Sequence, residues 1–358
     1  MRYDHQLWVG EREIALDRPT YFIADIASSH DGDLSRAKDL IWLAKEAGAD
    51  VAKFQHFLAR DIVSDTGFKA LGGQMAHQAD WQGSVYEVFE KYQTPRDWTE
   101  TLYAEAKKAG IEFMTTPYDF AALDLMDGLL QAFKIGSGDI GWTQFIGAIA
   151  ARNKPVFLAT GAADMVDVQR AVEAALAHTR KLCLMQCNTN YTGSLENFSC
   201  VNLYVLKGYA TAYPGMVLGL SDHTPGHAAV LGAVALGARV VEKHFTDDNS
   251  REGPDHAFSM TPKTWAEMVA RTRELELALG DGVKRIEANE HDSAVVQRRA
   301  LCAKRDLPEG QVLSGGDLEP LRPRPVGSVE PYALPTVTDK RLNRALKAGE
   351  PLMWEDLL

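Results

Sequence analysis

Residues 217–245 read VLGLSDHTPGHAAVLGAVALGARVVEKHF, and this stretch decides the fold. Two apolar runs of strand length, 217–223 and 239–245, flank a helical pattern over 227–236 that ends at Gly237. Both runs are nearly continuous rather than alternating, which is typical of parallel strands covered on both faces. Glycine tolerates the left-handed turn that ends a helix. The stretch therefore predicts a strand–helix–strand unit within a parallel sheet.

The same alternation of apolar runs and helical patterns extends towards the N-terminus. Six further runs have strand length: 21–27, 50–55, 112–117, 132–137, 155–160 and 182–188. We expect Asp33, Asp119 and Ser199 to cap three of the intervening helices. Eight strand–helix units close naturally into a barrel, whereas an open doubly wound sheet rarely has eight evenly spaced units. The sequence therefore predicts an α/β fold with a (β/α)8 TIM barrel over residues 21–283.

Three segments lie outside this pattern. Residues 1–20, with a turn signal at Gly10, predict a short hairpin before the barrel. Residues 60–93 are rich in glycine, so we expect a long loop that acts as a lid or a substrate wall. After a linker at 284–298, residues 299–358 contain short strands and turns. They predict a small, mostly-β domain that docks on the barrel or on a partner subunit, because so short a chain has a marginal core.

The composition excludes some classes of function. The chain has 358 residues and a formal net charge of −11, and an acidic protein lacks the basic surface that sequence-independent nucleic-acid binding needs. Its four cysteines form no Cys-x-x-Cys pair, so we expect reduced thiols. No apolar signal-peptide core follows the N-terminus, and no run of about 18 apolar residues exists. We therefore expect a cytoplasmic protein that binds neither membrane nor nucleic acid.

Polar side chains at the ends of the predicted strands form the candidate active site, because barrel enzymes place their sites at the carboxyl ends of the strands. Alternate residues of a strand share a face, so Ser221 points with His223. Likewise, Glu242 points with His244. Neighbouring strands lie about 4.8 Å apart, so the two histidines can reach one ion, and two neutral imidazoles suit a borderline divalent metal. The alternative is that each histidine is a hydrogen-bonded polar residue at the barrel rim.

Two lysines, Lys53 and Lys134, lie on strands that are otherwise apolar, and a buried lysine is rare without a partner. With Thr116 and Ser137 as hydroxyl donors, they can form a clamp for a phosphate or a carboxylate. Gln55 lies on the same strand face as Lys53 and is a further candidate for substrate binding. The alternatives are a lysine paired with a core carboxylate and a Schiff-base lysine.

Two carboxylates, Asp25 and Asp139, are the best placed for acid–base catalysis at these strand ends. Their alternative role is to support a neighbouring lysine or histidine. A barrel metallohydrolase would need a His-x-His pair at the first strand, which instead ends in Ser29-His30-Asp31. The strand ends therefore favour acid–base chemistry on an anionic substrate over metal-assisted hydrolysis.

Seven segments have an order and spacing that resemble one family. They are Phe22-Ile-Ala-Asp-Ile-Ala-Ser-Ser-His-Asp-Gly32, Lys53-Phe-Gln55, Phe113-Met-Thr-Thr-Pro117, Phe133-Lys-Ile-Gly-Ser-Gly-Asp139, Leu220-Ser-Asp-His-Thr224, Glu242-Lys-His-Phe-Thr246 and Gly253-Pro-Asp-His256. Each is weak alone, but together they resemble the sialic acid (N-acetylneuraminate) synthase family, which includes the spore coat polysaccharide biosynthesis synthases. Residues 299–301 and 322–327 resemble the antifreeze-like (SAF) domain of the same family. The resemblance covers nearly the whole chain.

The resemblance implies a transferase that condenses phosphoenolpyruvate with the open-chain aldehyde of an N-acetylated amino sugar similar to N-acetylmannosamine. The products are a nonulosonic 2-keto acid and phosphate. It implies Mn²⁺, or else Mg²⁺, on His223 and His244, and a sugar contact at Asp255. It implies phosphoenolpyruvate contacts at Lys53, Thr116, Lys134, Ser137, Thr189, Tyr191 and Ser221. It also implies a domain-swapped homodimer in which Arg324, or the nearby Arg322, reaches the sugar of the other subunit.

The chain departs from the family pattern at several strand ends. It has Asp25 and Asp139 where the family usually has glutamate, so both side chains are one methylene shorter. It also has Ser29 in place of the usual asparagine and Gln186 in place of the usual histidine. The departures favour a related synthase with a non-standard aldehyde substrate. The alternative is a non-catalytic sugar- or phosphate-binding homologue of the synthases.

Overall fold

The structure is a computed structural model that describes residues 2–358, apart from the side chains of Ala76 and Asp80. After a hairpin of β1 (Gln6–Val9) and β2 (Arg12–Ala15), eight parallel strands follow: β3 (Tyr21–Asp25), β4 (Val51–His56), β5 (Glu112–Pro117), β6 (Phe133–Ile135), β7 (Val156–Ala159), β8 (Leu182–Cys187), β9 (Val217–Asp222) and β10 (Ala238–His244). Their order in the sheet is β5-β4-β3-β10-β9-β8-β7-β6, and the outermost two, β5 and β6, contact each other. The sheet is therefore a nearly closed barrel, and the predicted TIM barrel is confirmed.

Helices connect the strands. They are α1 (Leu34–Glu46), α2 (Ala59–Ile62), α3 (Asp65–Ala70), α4 (Val85–Tyr92), α5 (Thr99–Ala109), α6 (Phe120–Asp127), α7 (Thr143–Ala150), α8 (Met165–Leu176), α9 (Val205–Ala212), α10 (Ala228–Ala235) and α11 (Pro262–Leu279). Asp33 and Asp119 cap α1 and α6 as predicted, because their carboxylates accept hydrogen bonds from first-turn amides. Ser199 does not cap α9. Its hydroxyl donates to the Glu196 carbonyl within a separate 3₁₀ turn, so that prediction was wrong.

Alternation along each strand separates two layers of the core. In β3, Phe22 and Ala24 pack between the strands and the helices, whereas Tyr21 and Ile23 pack inside the barrel. Asp25 continues the inside series, since residues two apart share a face. The same alternation places polar residues near the carboxyl ends of other strands on the inside of the barrel. They are Lys53, Thr116, Lys134, Ser221, Glu242 and His244. Strand periodicity thus positions the candidate site.

The N-terminal hairpin covers the opposite end of the barrel. Leu7, Val9 and Ile14 are buried there in one cluster with Tyr21 and Val51, which begin β3 and β4. Each such apolar side chain contributes about 1.5–3 kcal/mol when it is removed from water. The amino ends of the strands are therefore closed by apolar packing, which leaves the carboxyl ends for polar chemistry.

Residues 60–93, which we call the β4–α5 segment, are more ordered than the predicted loop. They contain most of α2, then α3, a 3₁₀ turn at Ala76–Asp80, and α4. Ser84 and Glu87 form a capping box at the start of α4, in which each side chain accepts a hydrogen bond from the other residue's amide. The predicted connection between strand and helix is present, but its short helices were not predicted, because this Ser-x-x-Glu helix signal lies among glycines.

The chain divides into two compact units, one up to Gly280 and one from Asp281. The second unit contains α12 (His291–Val296), β11 (Ala300–Ala303), β12 (Leu318–Leu321) and α13 (Leu334–Val337). β11 and β12 pair antiparallel, and isolated β-bridges connect further segments. Leucines such as Leu301 and Leu313 form a core of its own. The second unit therefore has a hydrophobic core separate from that of the barrel.

Two expectations from composition concern the cysteines and the membrane. All four cysteines are free, and only Cys200 is exposed. Among the helices of residues 2–358, none is long and apolar enough to cross a membrane.

Candidate active site

Asp25 and Lys53 form a buried ion pair at the carboxyl ends of β3 and β4. Both side chains are only 2% exposed, and Lys53 Nζ lies 2.6 Å from Asp25 Oδ2. Gln55 Nε2 donates to the same oxygen at 2.9 Å, and the Ala27 amide donates to Oδ1 at 3.1 Å. Burial alone would raise the pKa of Asp25, but the Lys53 ammonium and the neighbouring His244 outweigh burial and lower it. Asp25 is therefore held as a carboxylate.

The second buried lysine lies beside a carboxylate that the sequence pattern did not single out. Lys134 Nζ donates to the Ile135 carbonyl at 2.8 Å and lies 3.6 Å from Glu242 Oε1. Ser221 donates to the same Glu242 oxygen at 3.2 Å. Glu242 Oε2 is buried and has no hydrogen-bond partner among residues 2–358. Both lysines thus lie beside core carboxylates, which is one of the alternatives that the sequence left open.

Hydroxyl groups lie at the same strand ends as the two lysines. Lys53 Nζ lies 3.5 Å from Thr116 Oγ1, and Ser137 Oγ accepts a hydrogen bond from the Gly161 amide at 2.9 Å. Thr189 also lies close to Gly161. A Cβ atom added to Gly161 would lie 2.5 Å from Thr189 Cγ2 and 2.9 Å from Ser137 Oγ. The glycine therefore lets the loops after β6, β7 and β8 approach one another closely.

Replacing Gly161 with alanine is expected to destabilise the protein by roughly 1–3 kcal/mol, the usual cost of overpacking a core. The added methyl group must displace Thr189 or break the hydrogen bond to Ser137, because both lie closer than 3.0 Å to it. Urea denaturation measures the change in the free energy of unfolding. Gly138→Ala is the matched control, because its added Cβ meets no atom within 4 Å. Equal stability of the two variants would contradict this packing.

Asp139 is a partly buried carboxyl group near Lys134. Burial raises its pKa to about 6, although the Lys134 ammonium acts in the opposite direction. Its Oδ2 is buried and has no hydrogen-bond partner among the residues that the structure describes. A carboxyl group with such a pKa exchanges its proton near neutral pH, which suits a general acid or base.

Replacing Asp139 with asparagine is expected to change the pH dependence of stability. The folded-state pKa of about 6 exceeds the ordinary value of 3.8, so the folded protein binds this proton more tightly than the unfolded chain does. The stability from this group is fully present below about pH 4 and is lost as the pH rises to about 6. Asparagine does not titrate, so the variant does not lose this stability as the pH rises. The free energy of unfolding of the variant minus that of wild type should therefore be about 2 kcal/mol higher above pH 7 than at pH 4. Urea denaturation across this range measures the difference, and a pH-independent difference would contradict the shift.

His223 and His244 face each other beyond β9 and at the end of β10, with ring centroids 5.4 Å apart. His223 Nδ1 donates to the Asn188 carbonyl at 2.8 Å, which leaves the lone pair on Nε2. Burial and the neighbouring His244 hold the pKa of His223 well below its ordinary value. His244 Nε2 lies 3.7 Å from Asp25 Oδ2. Its Nδ1 is buried without a hydrogen-bond partner among residues 2–358.

The chemistry of this donor set fits an open metal site. The lone pair of His223 Nε2 and the unpartnered Nδ1 of His244 are both nitrogen donors that a borderline divalent ion accepts. Within residues 2–358, no group of three or more His, Cys, Asp or Glu side chains could hold a metal ion. The protein would therefore supply two nitrogens and leave the remaining positions to water and substrate.

A pocket of about 270 Å³ opens beside these histidines. His244 and Asp255 line it, and so does Tyr191, whose ring centroid lies 4.1 Å from that of His223. Asp255 is held in place by the Ser28 amide, which donates to its Oδ2 at 2.9 Å. Five aromatic residues, which we call the aromatic wall, line the pocket further: Phe57, Trp81, Phe89, Tyr92 and Tyr118. Three of them come from the β4–α5 segment.

The structure brings most of the predicted site residues to one end of the barrel. These are Asp25, Lys53, Gln55, Thr116, Lys134, Ser137, Asp139, Thr189, Tyr191, Ser221, His223, His244 and Asp255. Arg324 lies in the second unit, where its Nη1 is 2.9 Å from Glu330 Oε1, and Arg322 is exposed. The sequence placed Glu242 on the strand face of His244 but predicted no role for it. Its signal was the same alternation that places His244 inside the barrel.

Comparisons with known proteins point to one group of enzymes. The NeuB family model matches residues 40–284, and the SAF domain model matches residues 298–358. An N,N'-diacetyllegionaminic acid synthase of Campylobacter jejuni is 35% identical over 310 residues, which cover 86% of this chain and 91% of that protein. The N-acetylneuraminate-9-phosphate synthase of Homo sapiens is 31% identical over 308 residues, which cover 86% of this chain and 83% of that protein. The crystal structure of an N-acetylneuraminic acid synthetase from Leptospira borgpetersenii superposes with a TM-score of 0.71 at 25% identity, covering 82% of this chain and 95% of that one.

Proposed function

The chain belongs to the NeuB family, and from that premise we propose that it condenses phosphoenolpyruvate with the open-chain aldehyde of an N-acetylated amino sugar. The products would be a nonulosonic 2-keto acid and inorganic phosphate. The relatives are nonulosonic acid synthases that differ in the sugar acids their names specify. The names of the relatives therefore do not identify the aldehyde, which has to be inferred from the residues that line the pocket of this chain.

The pair of buried lysines is the observation that supports the proposal most. Phosphoenolpyruvate carries a phosphate and a carboxylate, and Lys53 and Lys134 offer one ammonium group each at the same end of the barrel. The hydroxyls of Thr116, Ser137 and Ser221 add neutral donors at the same strand ends. An isolated anion is costly to move out of water unless it is paired with cations and hydrogen-bonded. The two lysines supply the cations, and the hydroxyl groups supply the hydrogen bonds.

The reaction divides the polar side chains into holding and proton-transfer roles. The methylene carbon of phosphoenolpyruvate attacks the aldehyde carbon, and positive charge develops at the carbon that bears the phosphate. Asp25 accepts hydrogen bonds from Lys53 and Gln55 and so holds both side chains in position to contact the substrate. Asp139, with its pKa of about 6, orients the water that adds to the positive carbon and accepts a proton from it. Phosphate then leaves with the bridging oxygen and the proton of the new hydroxyl group, so that the 2-keto group remains. The water proton that Asp139 accepts balances the proton that the former aldehyde oxygen gains.

We propose that His223 and His244 hold a divalent metal ion. Mn²⁺ is the first candidate because the family resemblance implies it, and the two imidazole nitrogens themselves favour a borderline divalent ion over Mg²⁺, which prefers oxygen ligands. When bound, such an ion would supply Lewis acidity for the aldehyde oxygen. Asp255 and Tyr191 line the same pocket. Asp255 would bind a hydroxyl group of the sugar, and Tyr191 would contact phosphoenolpyruvate.

We also propose a domain-swapped homodimer in which Arg324 reaches the sugar site of the second subunit. Arg324 Nε is buried without a hydrogen-bond partner among residues 2–358, and Nη1 contacts Glu330. The guanidinium group therefore has donor capacity left for a ligand.

Release of inorganic phosphate from phosphoenolpyruvate tests the proposed function. The purified protein is incubated with Mn²⁺, phosphoenolpyruvate and a panel of amino and neutral sugars. We expect phosphate release only when both an acceptor sugar and the metal are present. Binding of phosphoenolpyruvate without release across the whole panel would support a non-catalytic binding homologue instead.

A further inference from the structure

We infer that His256 is a positioning residue of the active site, which holds the Asp255 carboxylate towards the acceptor sugar through a contact with Asp31. The inference rests on the proposed function, because it takes Asp255 as the residue that contacts the sugar. Two connections of the barrel are involved. We call residues 26–33 the β3–α1 loop and residues 245–261 the β10–α11 loop, after the elements that each one joins.

The Asp255 side chain has few contacts that fix its direction. It lines the pocket and is 15% exposed. Its Oδ2 accepts a hydrogen bond from the Ser28 amide at 2.9 Å and lies 3.8 Å from His244 Nδ1. Between β10 and α11, the described chain contains no helix and one isolated β-bridge, from Phe245 to Met260. The direction of Asp255 therefore depends on what holds the β10–α11 loop in place.

His256, the next residue, connects this loop to the β3–α1 loop. Its side chain is fully buried, its Nε2 lies 2.8 Å from Asp31 Oδ1, and its Nδ1 lies 2.8 Å from Thr246 Oγ1. A carboxylate only accepts hydrogen bonds, so Nε2 donates to Asp31. Both ring nitrogens are thus occupied by protein groups, and neither is left for a substrate. His256 can therefore act on the reaction only through the residues that it holds.

Asp31 is a fixed partner for this contact. Arg251 Nε donates to its Oδ2 at 2.8 Å, and Arg36 Nε lies 3.3 Å from the same oxygen. Arg36 also donates to the Ser29 carbonyl at 2.7 Å within the β3–α1 loop. The backbone of Asp31 has a φ of 55°, a left-handed conformation that aspartate tolerates better than most residues. A carboxylate held in this way restricts where the His256 ring can lie.

The backbone beside His256 is closely packed and hydrogen-bonded. A Cβ atom added to Gly253 would lie 2.7 Å from His256 Cδ2. Ser259 Oγ donates to the Asp255 carbonyl at 2.6 Å, and Asn249 Nδ2 donates to the His256 carbonyl at 2.7 Å. Asp255 and His256 share one peptide group, so a displaced His256 ring displaces the Asp255 carboxylate as well. A misplacement of about 1 Å in a binding group can cost about 100-fold in activity.

Two substitutions separate the two ring contacts of His256. His256→Asn places its amide where Nδ1 lies, so it can keep the contact with Thr246 but cannot reach Asp31. His256→Gln reaches the position of Nε2 and can keep the contact with Asp31 instead.

Steady-state phosphate-release kinetics test the inference, with Mn²⁺ and the acceptor that releases most phosphate. We expect His256→Asn to raise the KM for the acceptor by about 10- to 100-fold and to leave the KM for phosphoenolpyruvate within about 2-fold. His256→Gln should keep the KM for the acceptor close to the wild-type value, because the contact with Asp31 is retained.

A double-mutant cycle shows whether His256 acts through Asp255. Asp255→Ala removes the carboxylate and should itself raise the KM for the acceptor. In that background, His256→Asn should raise the same KM by less than about 2-fold further, because the group that it positions is absent. A further rise as large as the one that His256→Asn causes alone would overturn the inference.

His56→Asn is the matched control for the loss of a buried histidine. His56 is fully buried, with Nδ1 2.7 Å from Thr115 Oγ1 and Nε2 3.0 Å from Thr99 Oγ1. It shares a face of β4 with Phe54, which packs towards the helices. We expect a loss of stability in urea comparable to that of His256→Asn, with both KM values unchanged.

The remaining outcomes separate the inference from the proposed function. An equal rise of the two KM values in His256→Asn, or an equal rise of the acceptor KM in His56→Asn, would overturn the inference and leave the proposed function in place. No phosphate release by the wild-type protein with any acceptor would overturn the proposed function, and the inference with it.

Discussion

Replacing Lys53 with methionine is expected to lower kcat/KM by at least about 100-fold and to destabilise the protein by about 3–5 kcal/mol. The ammonium group is 2.6 Å from Asp25 Oδ2, and both side chains are 2% exposed. The variant leaves a buried carboxylate without its cation, which is more costly than exchanging the whole pair for apolar side chains. It also removes one of two cations available to the anionic substrate. Urea denaturation and phosphate-release kinetics measure the two effects.

Lys243→Met is the matched control for this variant. Lys243 is also buried, and its Nζ lies 2.5 Å from Asp222 Oδ2, but it lies on the strand face opposite Glu242 and His244, away from the inside of the barrel. We expect a comparable loss of stability from Lys243→Met, with turnover of the folded protein retained within about 10-fold. Equal losses of turnover in the two variants would show that Lys53 acts only through stability.

Replacing His244 with alanine is expected to abolish measurable Mn²⁺ binding and to lower turnover by at least about 1000-fold. The variant removes one of two neutral imidazoles, and the structure offers no group of three or more metal-binding side chains among residues 2–358 to compensate. Phosphoenolpyruvate affinity should change much less, because the lysines remain. Isothermal titration calorimetry with Mn²⁺ alone, and separately with phosphoenolpyruvate, distinguishes the two ligands.

His227→Ala is the control for the loss of a histidine near the same end of the barrel. His227 follows His223 by four residues and is half-buried, and its side chain makes no cap contact with α10. We expect Mn²⁺ binding and turnover to stay at wild-type values in this variant. Undiminished Mn²⁺ affinity in His244→Ala would contradict the assignment of His244 as a ligand.

The barrel and most of the site geometry could be predicted from sequence for one physical reason. Buried parallel strands are short, apolar and regular in period, so their ends and their inside faces can both be counted from the residues. Lys53 follows the apolar start of β4 and His244 ends β10, and the structure places both inside the barrel. Because the strands are parallel, their carboxyl ends lie at one end of the barrel, and no further information is needed to predict this.

The pairings within the site could not be predicted in the same way. Asp25 contacts Lys53 because β3 and β4 are in a register that sets these two residues side by side, and register is a property of two strands together. Glu242 was missed for a related reason, since its distance to Lys134 depends on side chains crossing the inside of the barrel. The helices of the β4–α5 segment were not predicted, because the helix signal of Ser84 and Glu87 lies among glycines.

The mass of the product formed from phosphoenolpyruvate labelled with ¹³C at all its carbons tests the central claim most directly. The protein is incubated with Mn²⁺, the labelled compound and the acceptor that releases most phosphate. The proposed condensation predicts a 2-keto acid that contains the acceptor carbons and the three labelled carbons, formed in equal amount to inorganic phosphate. Labelled pyruvate in place of that acid would show hydrolysis without carbon–carbon bond formation and would contradict the account.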